Sequence, residues 1–275
     1  MGVDAGATLV KVATRAPRGG LSYRFVPAAS LSEVVEMIEA TGPDSVGLTG
    51  GGATRLERLL GRQALHVNEF AAWGNGAAEL LQEAAVGPAR RYLLVSLGTG
   101  TSVMLVDGMA VNRIGGTALG GGTVVGLGAA LLDRSDFSEI ASLAERGDRR
   151  RVDLLVSDIY RAGEIPLLGE LTAASFGKLA RQGEAQAAPA REDLAHALMG
   201  LVGENVALIC GGLGAAHQVG RVVFGGSTLR NNRTLREVLQ VITSALGREA
   251  IFLPHGEFAG ALGALRLACG RGQEG

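Results

Sequence analysis

Apolar runs along this chain break repeatedly into glycines and hydroxyls and then resume. The sharpest break is Val95-Ser96-Leu97-Gly98-Thr99-Gly100-Thr101-Ser102, after which Val103-Met104-Leu105-Val106 is apolar again. Two buried strands joined by a tight turn are predicted there, and the glycines let backbone amides converge on an anionic ligand. The N-terminus repeats the design as Gly2-Val3-Asp4-Ala5-Gly6-Ala7-Thr8-Leu9-Val10-Lys11. A third strand over 21–26 follows a Pro17-Arg18-Gly19-Gly20 turn, so residues 2–27 read as a meander. Val34, Val35 and Ile38 at helical spacing predict a helix capped by Ser30 or Ser32 and closed by Gly42-Pro43. Next come a strand over 45–49 entering Gly50-Gly51-Gly52, a short helix over 55–60 and a strand over 64–67. An amphipathic helix over 70–85, with Leu80, Leu81 and Ala84 inward, ends this half.

The second half follows the same plan. Strands over 91–97, 102–107 and 110–114 lead into a glycine-rich turn at 115–122, then into helices over 124–132 and 137–146. A polar, Ala-rich segment at 183–191 reads as an exposed loop before a long apolar helix over 193–210. A strand over 221–224 ends in Gly225-Gly226-Ser227, and a helix over 235–245, a strand over 250–253 and a helix over 259–268 close the chain. Two copies of strand–strand–strand–helix–strand–helix imply a duplicated α/β protein with a cleft between its halves, the plan of the actin-like (ribonuclease H-like) two-lobed kinase fold. Gly87-Pro88 is the expected boundary. Residues 1–87 form an N-terminal lobe completed by the closing helix 259–270, and residues 88–258 form the C-terminal lobe. A dinucleotide-binding fold fits less well, because its glycine turn opens directly into a helix, whereas both turns here join two strands.

Composition narrows this reading. The 275 residues are 47% hydrophobic and 19% charged, which suits a globular chain with an ample core. A formal net charge of -1 offers no electrostatic basis for binding nucleic acid or an acidic membrane surface. Cys210 and Cys269 are far apart without metal-ligand spacing, so both are expected as small buried residues in a reducing, cytoplasmic setting. Neither a leader nor a membrane span is expected. The 43 glycines cluster at predicted turns, which makes them ligand-cradling loops and not low complexity.

The chemistry the residues suggest is phosphoryl transfer, which needs phosphate donors, a metal, a base and rigid positioning. The turns at 4–11 and 98–101 would grip a triphosphate from opposite lobes. Asp4, at a strand end, is read as the carboxylate beside a magnesium ion in preference to a turn-forming aspartate. Lys11 is either a phosphate partner or an exposed strand lysine. Gly120-Gly121-Gly122-Thr123 precedes a helix, whose N-terminal dipole favours anions. Glu69 lies where a strand hands over to a helix, as a general base or, on pattern alone, as the helix cap. Arg113 ends a strand as a carboxylate clamp or a solvated residue. The four histidines do not cluster, so nothing supports a histidine metal site.

Taken together and in order, these motifs resemble the type II pantothenate kinases. The likeness rests on residues 4–11, 96–102, Arg113-Ile114-Gly115-Gly116-Thr117 and 120–123. It continues through Asp153-Leu154-Leu155-Val156-Ser157-Asp158-Ile159-Tyr160, Leu171-Thr172-Ala173-Ala174-Ser175-Phe176-Gly177, Gly225-Gly226-Ser227, Leu235-Arg236-Glu237-Val238 and residues 256–265. The resemblance implies phosphorylation of the terminal hydroxyl of pantothenate by ATP with Mg2+, the first step of coenzyme A synthesis, in a cytoplasmic homodimer. It implies Glu69 as general base, overriding the capping reading. Asp4, Ala5, Gly6, Ala7, Thr8, Leu9, Val10 and Lys11 would hold phosphate, with Asp4 on the metal directly or through water. Thr99, Gly120, Gly121, Gly122, Thr123 and Val124 would contact the nucleotide, Phe137 and Ser227 the adenosine, and Ser102 and Arg113 the pantothenate. The helix over 193–210 is the candidate dimer element. Ala7 stands where the family has a second glycine, and a Cβ there is costly if the position needs positive φ. The strand before Asp4 is short. Alternatives are a kinase of the same fold acting on pantetheine or an N-acetylhexosamine, or a non-catalytic nucleotide-binding regulator. The aspartate base of the hexosamine enzymes has no counterpart here, and a pure binder has no use for Glu69.

Overall fold

The computed structural model describes residues 1–16, 20–87, 89–165, 169–181 and 188–271. Residues 17–19 of the expected first turn, Pro88 of the boundary dipeptide and residues 183–187 of the polar loop lie outside them. β1 (Gly2–Ala5), β2 (Leu9–Arg15) and β3 (Leu21–Pro27) form the antiparallel meander. α1 (Leu31–Thr41) buries Leu31, Val34 and Ile38 and stops at Gly42, whose φ of 55° a side-chain-bearing residue adopts at a cost. Ser30 takes the N-cap position, with no side-chain bond. β4 (Gly47–Thr49) adds parallel to β1, α2 (Ala53–Leu60) crosses over, and β5 (Leu65–His66) adds parallel to β4. α3 (Glu69–Glu83) follows.

β6 (Arg91–Leu97), β7 (Thr101–Asp107) and β8 (Ala110–Thr117) make a second meander, followed by α4 (Gly121–Leu132) and α5 (Phe137–Ala144). A two-stranded excursion, β9 (Leu154–Leu155) with β10 (Thr172–Ala174), precedes the long α6 (Arg191–Ala216). β11 (Arg221–Gly225) then adds parallel to β6, α7 (Arg233–Ala245) crosses, and β12 (Glu249–Phe252) adds parallel to β11 before α8 (Ala259–Arg271). The sheet orders β3-β2-β1-β4-β5 and β8-β7-β6-β11-β12 are the same topology built twice.

The last helices of the two halves pack on one another. α8 also lies on β1, β2 and β4, while α3 touches β8. The approach is close enough that a Cβ on Gly76 would strike the Ala259 carbonyl, and one on Gly263 the Ala72 carbonyl. Trp73, Ala77 and Leu80 of α3 join Ala261, Leu262 and Leu265 of α8 in the larger core. That helix pair links the N-terminal sheet, through α8, to β8 of the C-terminal sheet, through α3.

Several expectations change. β8 runs on to Thr117, so Gly115 and Gly116 are strand residues and the turn shrinks to 118–120. Ala84 follows α3 and is exposed, because the inward stripe is Ala72, Trp73, Gly76, Ala77 and Leu80. Cys210 is buried, its thiol pushed up to about 12 by burial, but Cys269 is exposed near the end of α8. α6 is apolar because α4, α5, α7 and β8 surround it. Most of its apolar surface is used inside the chain, while Leu208 stays exposed. Among the described residues it is the one helix long and apolar enough to cross a membrane, and it is mostly buried in the core.

Candidate active site

β1 carries Asp4 to the floor of the cleft, and β2 brings Lys11 back as its directly paired neighbour. Pairing places the ammonium Nζ 3.7 Å from Asp4 Oδ2. Asp4 is 5% exposed, and burial holds its carboxyl above the ordinary range against the opposing pull of Lys11. β4 packs its exit turn on the same strand end, where the Gly52 amide donates to the Ala5 carbonyl at 2.9 Å. Strand alternation points Lys11 into the cleft and Val10 into the N-terminal core, so the Val10 side chain faces no ligand. Leu9 turns instead toward a side pocket.

Glu69 is the first residue of α3. The cap is its neighbour: Asn68 Oδ1 accepts from the Phe70 and Ala71 amides at 3.0 and 3.2 Å. The Glu69 carboxylate is thereby left to line the cleft. Its pKa is raised, first by partial burial and then by the charge on Asp4, with Lys11 pulling the other way. Trp73 lies four residues on, on the same helical face, and lines the cleft too.

The opposite wall is the turn between β6 and β7. Thr99 Oγ1 lies 3.2 Å from Thr8 Oγ1, so the two glycine turns meet across the cleft. The 98–100 turn is held from behind. The Gly121 and Gly122 amides donate to the carbonyls of Gly98 (2.8 Å) and Thr99 (2.9 Å), and Thr228 Oγ1 donates to Gly98 O at 2.8 Å. Gly226, with φ 114°, approaches the Leu97 backbone too closely for any Cβ. The start of α4 is therefore a brace for the turn and not the open anion site expected of Gly120-Gly121-Gly122-Thr123. Its amides at 121 and 122 are spent, and Thr123 Oγ1 accepts from the Gly120 amide and donates to Ala118 O. Val124 is fully buried, because helical periodicity turns Val125 outward in its place.

Arg113 reaches the cleft on the Ser102 face of the sheet. The β7–β8 register running back from the Asp107/Ala110 end sets Arg113 opposite Met104, two residues along β7 from Ser102, and the pairing slips by one residue just beyond it, between Met104 and Val103. Its Nε donates to Ser102 Oγ at 3.5 Å, and no carboxylate among the described residues pairs with it.

These groups line one cavity of about 910 Å³, with Asp4, Lys11 and Glu69 on one side and Thr99, Ser102 and Arg113 on the other. Arg55 on α2, which sequence reasoning missed, lines it as well and has no acidic partner among the described residues. Its signal was its position one turn beyond Gly50-Gly51-Gly52. A smaller pocket of about 250 Å³ adjoins through Gly98, Thr99 and Ser227, and gathers Thr8, Leu9, Gly121, Gly122 and Phe137 from the expected set. Arg230 and Asn231, not expected, complete its rim. No group of three or more His, Cys, Asp or Glu side chains able to hold a metal occurs among the described residues, so a cation here would share one carboxylate with ligand oxygens and water.

Residues 75–267 match the protein family described as Fumble. The chain is 36% identical over 267 residues to a type II pantothenate kinase of Staphylococcus haemolyticus, covering 97% of this chain and 99% of that one. It is 35% identical over 265 residues to a type II pantothenate kinase of Oceanobacillus iheyensis, covering 96% and 98%. Among solved structures, the activator of the 2-hydroxyisocaproyl-CoA dehydratase from Clostridium difficile with bound ADPNP is similar with a TM-score of 0.64 at 18% identity, over 99% of this chain and 95% of that one. The ROK hexokinase from Thermus thermophilus follows at 0.56 and 18%, over 98% of each chain. At such identities these two structures establish the actin-like kinase fold and nothing of the chemistry.

Proposed function

The chain belongs to the Fumble family, in which its matched relatives are type II pantothenate kinases, and we propose that it transfers the γ-phosphoryl group of ATP to the terminal hydroxyl of pantothenate with Glu69 as general base. The observation that carries the proposal is the division of labour at the start of α3. Asn68 satisfies the helix, which frees the Glu69 carboxylate to face the cleft beside Asp4 and Lys11. Arg113 anchors the pantothenate carboxylate and Ser102 steadies the guanidinium. The acceptor hydroxyl then meets Glu69, whose raised pKa makes it a better proton acceptor than an ordinary carboxylate. Thr8, Thr99 and the amides of the two turns hold the triphosphate in line, and Lys11 offsets charge on the transferring group. The proton on the hydroxyl passes to a Glu69 oxygen as the new O–P bond forms and the bond from the γ-phosphorus to the β,γ-bridging oxygen breaks, with ADP leaving.

Asp4 suits a magnesium ion: it is buried at the cleft floor, and Lys11 is its ionic partner among the described residues, leaving lone pairs unused. A bound magnesium ion would neutralise phosphate charge there. The direct test is ATP-dependent phosphorylation of pantothenate by the purified protein, set against pantetheine and N-acetylhexosamines. Preference for a hexosamine, or no transfer at all, would reject the proposal.

A further inference from the structure

Glu69 shares its face of α3 with a large ring. Trp73 follows it by four residues, about one helical turn, and both side chains line the larger cavity. Trp73 is the one tryptophan of the chain and is 5% exposed. Its ring is fixed at two edges. A Cβ on Gly225, at the end of β11, would lie 3.2 Å from Cζ3, and one on Gly260 of α8 would lie 3.2 Å from Nε1. The same point at Gly260 is 2.9 Å from Asp4 Oδ2, so the indole spans the cleft floor from the buried carboxylate to the start of the 225–227 turn. Glycine at both places lets so large a side chain lie there, and the backbone beyond each edge leaves it no room to withdraw.

The ring takes no part in proton or phosphoryl transfer, yet it puts apolar surface into a cavity otherwise lined mostly by glycines, alanines, hydroxyls and charges. Leu31, the other large apolar side chain there, belongs to the separate N-terminal core. The hydroxyl that meets Glu69 is carried on pantothenate by a CH2 group, and the next carbon bears two methyl groups. That branched carbon is two bonds from the reacting oxygen, which brings it within reach of a side chain one turn along the helix. A rigid apolar wall at that distance suits two methyl groups and excludes larger ones.

We propose that Trp73 determines acceptor specificity: it is the wall on which the branched carbon beside the reacting hydroxyl packs, and it sets the largest groups that carbon can carry. The inference rests on pantothenate as the acceptor and extends that reading to the shape of the acceptor's reacting end.

The experiment compares kcat/KM for three acceptors in wild type, Trp73→Phe and Trp73→Leu. They are pantothenate, an analogue with hydrogens in place of both methyl groups, and an analogue with ethyl groups in their place. Wild type is expected to lose about tenfold with the hydrogen analogue and about tenfold to a hundredfold with the diethyl one, which overpacks the wall. Trp73→Leu opens space behind the base and is expected to bring the diethyl analogue within about threefold of pantothenate, with Trp73→Phe in between. Such a gain for the bulkier acceptor cannot come from damage to the fold, which would lower all three rates alike. An unchanged ratio in both variants, or a wild type that takes the diethyl analogue as readily as pantothenate, would overturn the inference and leave the acceptor standing. Transfer to none of the three would reject the acceptor and the inference together.

Discussion

The two walls of the cleft use one backbone plan for opposite chemistry. In the N-terminal half the end of the first strand pairs Asp4 with Lys11; at the equivalent place in the C-terminal half Ser96 pairs with Ser102. One wall therefore carries a buried ion pair and, beside it, Glu69. The other presents hydroxyls and backbone braced by α4 and the 226–228 segment, with Arg113 as its cation. The charged wall bears the desolvation: both Asp4 and Glu69 are raised above ordinary carboxylates. Duplication supplied the scaffold, and divergence put reactive charge on one side and positioning on the other.

The severest way to break this asymmetry is to neutralise its base. Glu69→Gln is expected to lower kcat by ~10²–10⁴-fold while leaving both KM values near wild type, as measured by steady-state kinetics. In the wild type, activity should fall as the pH drops through the Glu69 pKa, because the protonated acid cannot accept the hydroxyl proton. That midpoint should lie above the ~4.3 of a free glutamate. A rate within a few-fold of wild type for the glutamine variant would move the base elsewhere.

Neutralising Asp4 separates function from stability. Its folded pKa is raised, so the folded state holds that proton more tightly than the unfolded chain does. The stability this confers is complete below the unfolded pKa and is lost as pH rises through the folded value, leaving a net cost at neutral pH. Asp4→Asn should accordingly raise the melting temperature of the ligand-free protein at pH 7 by ~2 °C or more and flatten its pH dependence. The same variant should lose most turnover and the thermal shift that magnesium adds to nucleotide. A lower melting temperature would mean that the ion pair stabilises the fold.

Much of this comparison was legible in the chain. At residues 4–9 and 97–102 the glycines and hydroxyls between two apolar runs marked a strand–turn–strand, so both cleft walls could be located. What escaped depends on long-range partners. The one-residue slip between Arg113 and Gly115 is set by pairing between β7 and β8, and nothing in the local pattern encodes it. The start of α4 has the composition of an anion site, yet its amides are claimed by carbonyls more than twenty residues earlier. α6 has an apolar pattern that fits a partner surface as well as a core, and only its long-range neighbours reveal how much of it is core. Asn68 and Glu69 are both able to cap a helix, and backbone geometry selected the asparagine.

On the neutral wall, a single change at its cation is expected to act on the acceptor alone. Arg113→Gln should raise KM for pantothenate by about tenfold to a hundredfold, the worth of a hydrogen bond to a charged group, with little change in KM for ATP. A matching rise for ATP would place Arg113 on the phosphates and blur the division between the walls.

The smallest effect is expected at Ala7, where the sequence resemblance implies a glycine. Ala7 is exposed and is not among the residues with positive φ, so its methyl group meets neither strain nor a neighbour. Gly6 is the constrained position: a Cβ there would lie 2.9 Å from both the Leu9 carbonyl and Lys11 Nζ. Ala7→Gly should therefore change KM for ATP by less than about twofold and lower stability by no more than ~1 kcal/mol, the entropy of a freer unfolded chain. Gly6→Ala must displace Lys11 from Asp4 and should raise KM for ATP well beyond that. Equal sensitivity at the two positions would show that the turn tightens around the nucleotide into a conformation in which residue 7 needs the left-handed region.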